Sequence, residues 1–239
     1  MVERLSATQR KEIQTARMWR YFLDATSELM KEKQLDHITI RQIADRAGYT
    51  SSTVYNYFGD LSHLKFFAAM RFTRSYLIDL PAYMEKGTNT IDKWLYAWEC
   101  FCRHSFALPE VYRLLYIEDL GDIPEELIRS YHRTYENELI DLSEEVQTII
   151  TQHNIATRSS LYIQDAVKEG LMDEQDIEYI AGTTMHIWMG MLISILNKRK
   201  RHSQEKAAQQ TMHYIYKSIL YTVHPNKREQ IAYRYDSSL

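Results

Sequence analysis

Residues 39–58 constrain this chain more than any other stretch: Thr-Ile-Arg-Gln-Ile-Ala-Asp-Arg-Ala-Gly-Tyr-Thr-Ser-Ser-Thr-Val-Tyr-Asn-Tyr-Phe. The spacing predicts two short helices around a tight turn. Thr39 suits an N-cap, because its hydroxyl can accept an unpaired amide of the first turn. Ile40, Ile43, Ala44 and Ala47 recur at i, i+3, i+4 and i+7 and make one buried face. Arg41, Gln42, Asp45 and Arg46 fall on the wet side. Gly48 stands where a left-handed residue ends a helix. Thr50 or Ser51 can cap the second helix, whose Val54 and Phe58 share an inner face. Ser51, Ser52, Tyr55 and Asn56 point outward.

A helix, a glycine turn and a second helix with small polar and aromatic residues outside fit a helix-turn-helix. An ordinary helical hairpin fits the same pattern. On the first reading the outer face suits a major groove. Arg and Asn can pair with base edges, and Tyr and Thr hydroxyls can reach phosphate.

Ile-Arg-Gln-Ile-Ala-Asp-Arg-Ala-Gly followed by Tyr55-Asn56-Tyr57-Phe58 resembles the DNA-binding domain of the TetR (tetracycline-repressor-like) regulators, over residues 10–70 or so. The resemblance implies a helix-turn-helix domain over 1–60 and a helical ligand-binding and dimerisation domain over 61–239. It implies a homodimer that reads a palindromic double-stranded DNA operator and is released by a small-molecule effector. By that analogy Arg41, Ser52 and Asn56 face bases, while Thr39, Thr50, Tyr55 and Tyr57 hold phosphates. Ser51, Thr53 and Lys65 complete the expected DNA-binding set. The family's helix 4 acts as a lever between ligand and head spacing. Two positions depart from the pattern. Many members place Lys where Leu61 and Ser51 stand here, so fewer phosphate contacts and a shallow salt slope are expected, unless Lys65 or His63 substitutes. An activator, or a small-molecule-binding or scaffold protein with a vestigial head, is the alternative.

Composition supports an all-α chain. Only 7 Gly and 4 Pro occur in 239 residues, and 45% of them are hydrophobic. Few segments alternate with period two. The net charge of −3 is unevenly spread. Residues 1–80 hold 12 Lys and Arg against 9 Asp and Glu, and residues 81–239 hold 17 against 23. A mildly basic head on an acidic body fits a DNA reader with a second task. No secretory signal is legible, and the longest nearly apolar run, 187–196, is about half a membrane span. A cytoplasmic protein without membrane contact is expected. Cys100 and Cys102 sit two apart on a predicted helix, point different ways, and read as buried free thiols.

The periodicity predicts helices over 10–33, 60–80, 89–107, 110–119, 124–153, 157–168, 173–199 and 203–223, besides the central pair, and a loose tail. Trp94, Trp98, Phe101, Tyr112, Tyr116 and Tyr135 can wall a cavity for a flat or apolar ligand, with His132 or His186 as polar handle. The same residues can equally fill a core. Ala181, Thr184, Trp188, Met191 and Ile195, with Met212, Ile215, Tyr216 and Ile219, read as a dimer surface. The basic run 198–201 reads as a helix-end charge cluster. The chain has no Glu-x-x-His pair, no two His at helical spacing, no phosphate loop and no nucleophile elbow. Neither enzyme activity nor a metal or cofactor is expected.

Overall fold

The computed structural model describes residues 6–119, 154–198 and 203–235. His132, Tyr135, the helix expected over 124–153 and most of the basic run lie outside them. Among the described residues the chain is helical, with one isolated antiparallel bridge between Met172 and Val223. They divide into two compact units, one holding residues 6–72 and Asp119, the other residues 73–118, 154–198 and 203–235.

The first unit contains α1 (Ala7–Glu32), α2 (Ile40–Ala47), α3 (Ser51–Tyr55) and α4 (Leu61–Met70). On α1, Phe22, Ala25 and Leu29 are buried. Trp19 joins them: its ring lies 4.8 Å from Phe58 and 5.1 Å from Phe67. Edge-on and tilted aromatic packing of this kind adds to plain area burial. One long helix over 60–80 is not found. A 3-10 turn at Arg71–Thr73 separates α4 from α5 (Arg74–Met84). At that break Arg71 is paired with Asp24 of α1. The helix end expected at residue 80 is not found either: Pro81 lies inside α5, which continues to Met84. The proline costs a hydrogen bond to Leu77, and the burial of Tyr76 and Leu80, with α5 packed along the next helix, offsets it.

The second unit is built around α6 (Thr90–Ala107). Buried residues occur on every side of it, including Asp92 and Glu99. A helix buried all round needs neighbours all round. They are α5, α7 (Pro109–Tyr116), α8 (Ile155–Ile163), α9 (Asp165–Lys168), α10 (Asp176–Leu196) and α11 (Gln204–Thr222). Gly87 precedes α6 where a Cβ would come within 2.5 Å of the Lys93 amide nitrogen, so only glycine fits. Cys100 and Cys102 are free and buried, and burial pushes both thiols up.

The tail is not loose through residue 235. Ile231 and Tyr233 are 4% exposed. The amides of Ala232 and Tyr233 donate to Asp92 Oδ1 at 3.0 and 2.9 Å. The Tyr233 hydroxyl donates to Glu99 at 2.9 Å, and the Tyr235 hydroxyl to Glu205 at 2.8 Å. The sequence pattern misses this because the tail's polar look hides two buried side chains. Asp92→Ala is expected to cost about 3 kcal/mol, as charge-assisted bonds to buried amides are lost together. Urea denaturation and protease sensitivity after residue 230 measure it. Unchanged midpoint and cleavage would show that the tail contributes nothing.

Candidate nucleic-acid interface and ligand cleft

The geometry of the first unit's outer row follows from its caps. Thr39 and Gln42 form a reciprocal capping box, each side chain accepting the other's amide at 3.3 and 3.2 Å. Gly48 has φ 78°, and the Tyr49 amide reaches back to the Ala44 carbonyl at 2.9 Å. This is the six-residue closure that left-handed glycine permits. Thr50 caps α3 by accepting the Thr53 amide, and its Oγ1 also meets Ser52 Oγ and Thr53 Oγ1 at 2.9 Å. Arg46 locks α2 on α1, holding Glu32 through two bonds of 2.9 and 2.8 Å and Glu28 at 3.2 Å. The bond from Arg46 holds the Glu32 carboxyl below its usual range.

Arg41, Tyr55 and Asn56 are exposed, Arg41 by 87% of its side chain. Thr39, Thr50 and Ser52 are exposed as well, but the Thr39 and Thr50 hydroxyls already serve as caps. Ser51, Thr53 and Tyr57 are half-buried; the Tyr57 ring lies 6.0 Å from Phe22. Lys65 is half-buried on α4. The sequence reading passed over Tyr49, which is exposed at the turn and packs its ring 5.5 Å from Phe22. The start of α4 is capped from within. Asp60 Oδ1 accepts the Ser62 amide at 2.6 Å, which puts a negative charge at the positive end of that helix.

In the second unit, Trp94, Trp98 and Phe101 of α6 do come together on one cleft. Tyr76 and Ala97 join them, and Ile155, Arg158, Ser159 and Tyr162 of α8 form the facing wall. The cleft measures about 280 Å³ out to its open mouth, and a water molecule's centre has about 20 Å³ to move in. It is narrow as it stands. The indole N–H groups of Trp94 and Trp98 converge on Ser159 Oγ at 2.9 and 3.2 Å. Tyr112 and Tyr116 stand behind the wall, 5.5 and 5.8 Å from Phe101. Burial pushes the Tyr76 and Tyr112 phenols well up. His186 is not at the cleft lining; it is exposed on α10, its ring nitrogen 2.7 Å from the Gly182 carbonyl oxygen. Arg158 is the residue the sequence reading missed. Its signal was its spacing: it shares a helix face with Ile155 and Tyr162. Among the described residues no cluster of His, Cys, Asp and Glu is arranged to hold a metal.

The surface expected for dimerisation needs correction. Ala181, Thr184, Trp188, Met191, Met212, Ile215 and Ile219 are all buried within the chain. Trp188 is fully buried and donates to Ser105 Oγ at 2.9 Å. Ile195 and Tyr216 are half-buried. The side chains left outside are others: Tyr179, Ile193, Tyr214 and Tyr221, exposed by 62, 42, 45 and 83%. Gly182 and Gly190 belong to the same outer stripe of α10, and nothing lies within 4 Å of a Cβ added at either. α10 is long and apolar enough to cross a membrane by composition, yet it packs along α7, α8 and α11.

Residues 22–64 match the family model described as bacterial regulatory proteins, tetR family. No curated protein sequence matches the chain. Among solved structures, RolR in complex with resorcinol is similar at 17% identity and TM-score 0.56, covering 96% of this chain and 99% of that one. The Thermus thermophilus regulator FadR in complex with lauroyl-CoA is similar at 10% identity and TM-score 0.54, covering 92% and 98%. A TetR-family regulator from Mesorhizobium loti gives 15% identity, TM-score 0.52, and coverage of 87% and 98%.

The Asp60 cap yields a pH-dependent prediction. The Ser62 amide, foremost, holds this carboxyl below its usual range, with the Ser62 hydroxyl and His63 adding to it. A depressed folded-state pKa adds stability that is full above the unfolded value of about 3.9 and lost as pH falls through the folded value. Asp60→Ala is expected to cost about 1 kcal/mol near neutral pH. In urea titrations the gap to the parent chain should close toward pH 3. A gap that stays constant would assign the loss to something other than the carboxylate.

Proposed function

We propose that this chain, which carries the helix-turn-helix head of the tetR family of bacterial regulatory proteins, is a dimeric repressor. On this reading it is released from a palindromic operator when a small molecule enters the cleft of its second unit. The observation that carries the proposal is the capped helix pair whose exposed row, Arg41, Tyr55 and Asn56, falls within the residues matched to the family. Arg and Asn have the donor and acceptor geometry for base edges. Tyr55 offers a hydroxyl to phosphate. Two of the similar structures hold small molecules, resorcinol in RolR and lauroyl-CoA in FadR, which supports a ligand-responsive body. A cytoplasmic site of action is part of the proposal.

Palindromic sites need paired heads about one helical turn apart, roughly 34–36 Å. The outer stripe of α10, with Tyr179, Gly182, Gly190 and Ile193, and the exposed Tyr214 and Tyr221 of α11 support pairing through these two helices. Only 33% of the most apolar window of α10 is buried in the single chain, and an apolar face of that kind calls for a partner.

The DNA upstream of the chain's own gene is the first target to test, by fluorescence anisotropy across a salt series. Asn56→Ala is expected to relax sequence preference by about 1–3 kcal/mol. Tyr55→Ala should weaken binding to all sequences alike. With Ser51 and Leu61 in place of bases and Asp60 at the α4 cap, the salt slope should be shallow. Equal affinity for random DNA would count against the operator reading. Ile193→Glu should give folded monomers in sedimentation that bind palindromic DNA poorly; intact dimers would place the interface elsewhere. Trp188→Glu is no test of pairing, since it would break the core.

A further inference from the structure

Arg158 is 5% exposed, and among the described residues no carboxylate is paired with it. A guanidinium keeps its charge at any working pH, and a buried charge without a counter-charge is costly. What the described residues supply is weak. Nη1 lies 3.5 Å from the Tyr116 hydroxyl, at the limit of a hydrogen bond. The guanidinium carbon is 5.1 Å from the Phe101 ring centre and 5.5 Å from that of Tyr116. Ring faces ease the charge, but they leave most of the five N–H donors without acceptors. On the same cluster the Tyr112 hydroxyl is buried with no hydrogen-bond partner among the described residues. Ser159, the neighbouring hydroxyl, is already taken by two indoles. Among the described residues, the polar wall of the cleft is therefore short of an anion.

The remaining walls say what carries that anion. Trp94, Trp98, Phe101, Tyr76 and Tyr162 present rings to the space, which suits a flat aromatic body. One guanidinium presents a planar fork that a carboxylate fits with two parallel bonds. We propose that the cleft binds a small aromatic carboxylate, its acid group paired with Arg158 and its ring among the cleft aromatics. This rests on the reading of the cleft as the effector site. Entry must widen the cleft, because the present gap has room for a single water. The cost of widening is met by pairing a charge that has no carboxylate partner among the described residues.

The test is calorimetric titration of the full chain with benzoate, 1-naphthoate, benzamide, phenyl phosphate and hexanoate, and of Arg158→Gln and Arg158→Lys with the same set. At least one aromatic carboxylate should bind, and benzoate at least about tenfold tighter than benzamide, the worth of one charge-assisted bond. Arg158→Gln should erase that preference, and Arg158→Lys should keep part of it. The benzoate-against-benzamide comparison needs no variant, so it stands even if a substitution impairs folding. Equal binding of amide and acid overturns the proposal, as does failure of both aromatic carboxylates to bind. Hexanoate ahead of benzoate overturns its aromatic half, and phenyl phosphate ahead of both acids would make the ligand a phosphate ester instead. Operator binding is read separately, by anisotropy with benzoate present. Carboxylate binding that leaves the operator occupied would sink the effector reading and leave the ligand assignment standing.

Discussion

The second unit depends on one condition: α6 has buried residues on every side, so each buried polar group it carries must find a partner inside the protein. Trp94 and Trp98 bring two indole N–H groups, and both end on Ser159 of α8. Trp188 of α10 brings a third, which ends on Ser105 of α6 itself. Asp92 takes the amides of the tail, and Glu99 takes Arg103 and Tyr233. An unmet buried group costs about 1–3 kcal/mol, so these pairings fix where α8, α10 and the tail lie against α6. Ordinary apolar packing tolerates sliding. A serine that must accept from two indoles does not.

The first unit is held by shorter-range rules. Its caps are met within a few residues: Thr39 with Gln42, Gly48 with the end of α2, Thr50 with Thr53, Asp60 with Ser62. Aromatic rings from α1, α4 and the end of the helix pair then close the core around Phe22 and Phe58. Because the hydroxyls at the caps are used locally, the side chains left for another molecule are few. Arg41, Tyr55 and Asn56 remain on the outside, and Asp60 puts a negative charge at the start of α4. On the proposed reading, a head built in this way would rely more on base-edge contact than on phosphate neutralisation.

Arg158 is the exception to the rule that governs α6. The buried indoles of Trp94, Trp98 and Trp188 and the carboxylates of Asp92 and Glu99 all have internal answers. A charge placed in the wall of an aromatic cleft, answered among the described residues by ring faces and one long contact, is an expense to the unliganded fold. Proteins keep such costs where a ligand repays them.

Much of this was legible in the sequence. The helix pair over 40–55, its caps and its outward row were readable because every signal acts within four residues, the reach of one helical turn. Trp94, Trp98 and Phe101 could be placed on one face for the same reason. Tertiary structure decided the rest. Trp188 and Met191 read as surface because an apolar stripe looks the same whether it meets its own chain or a second copy; only the packing of α10 on α6 and α11 shows which side is spent. Pro81 read as a helix end because propensity is local and the burial that overrides it is not. The tail read as loose because Asp92, its anchor, lies some 140 residues earlier. Arg158 acquired its meaning from α6, which the sequence places far from it. What a residue does with its neighbours in sequence, the sequence determined. Which charges and faces stay unspent is a property of the folded packing alone.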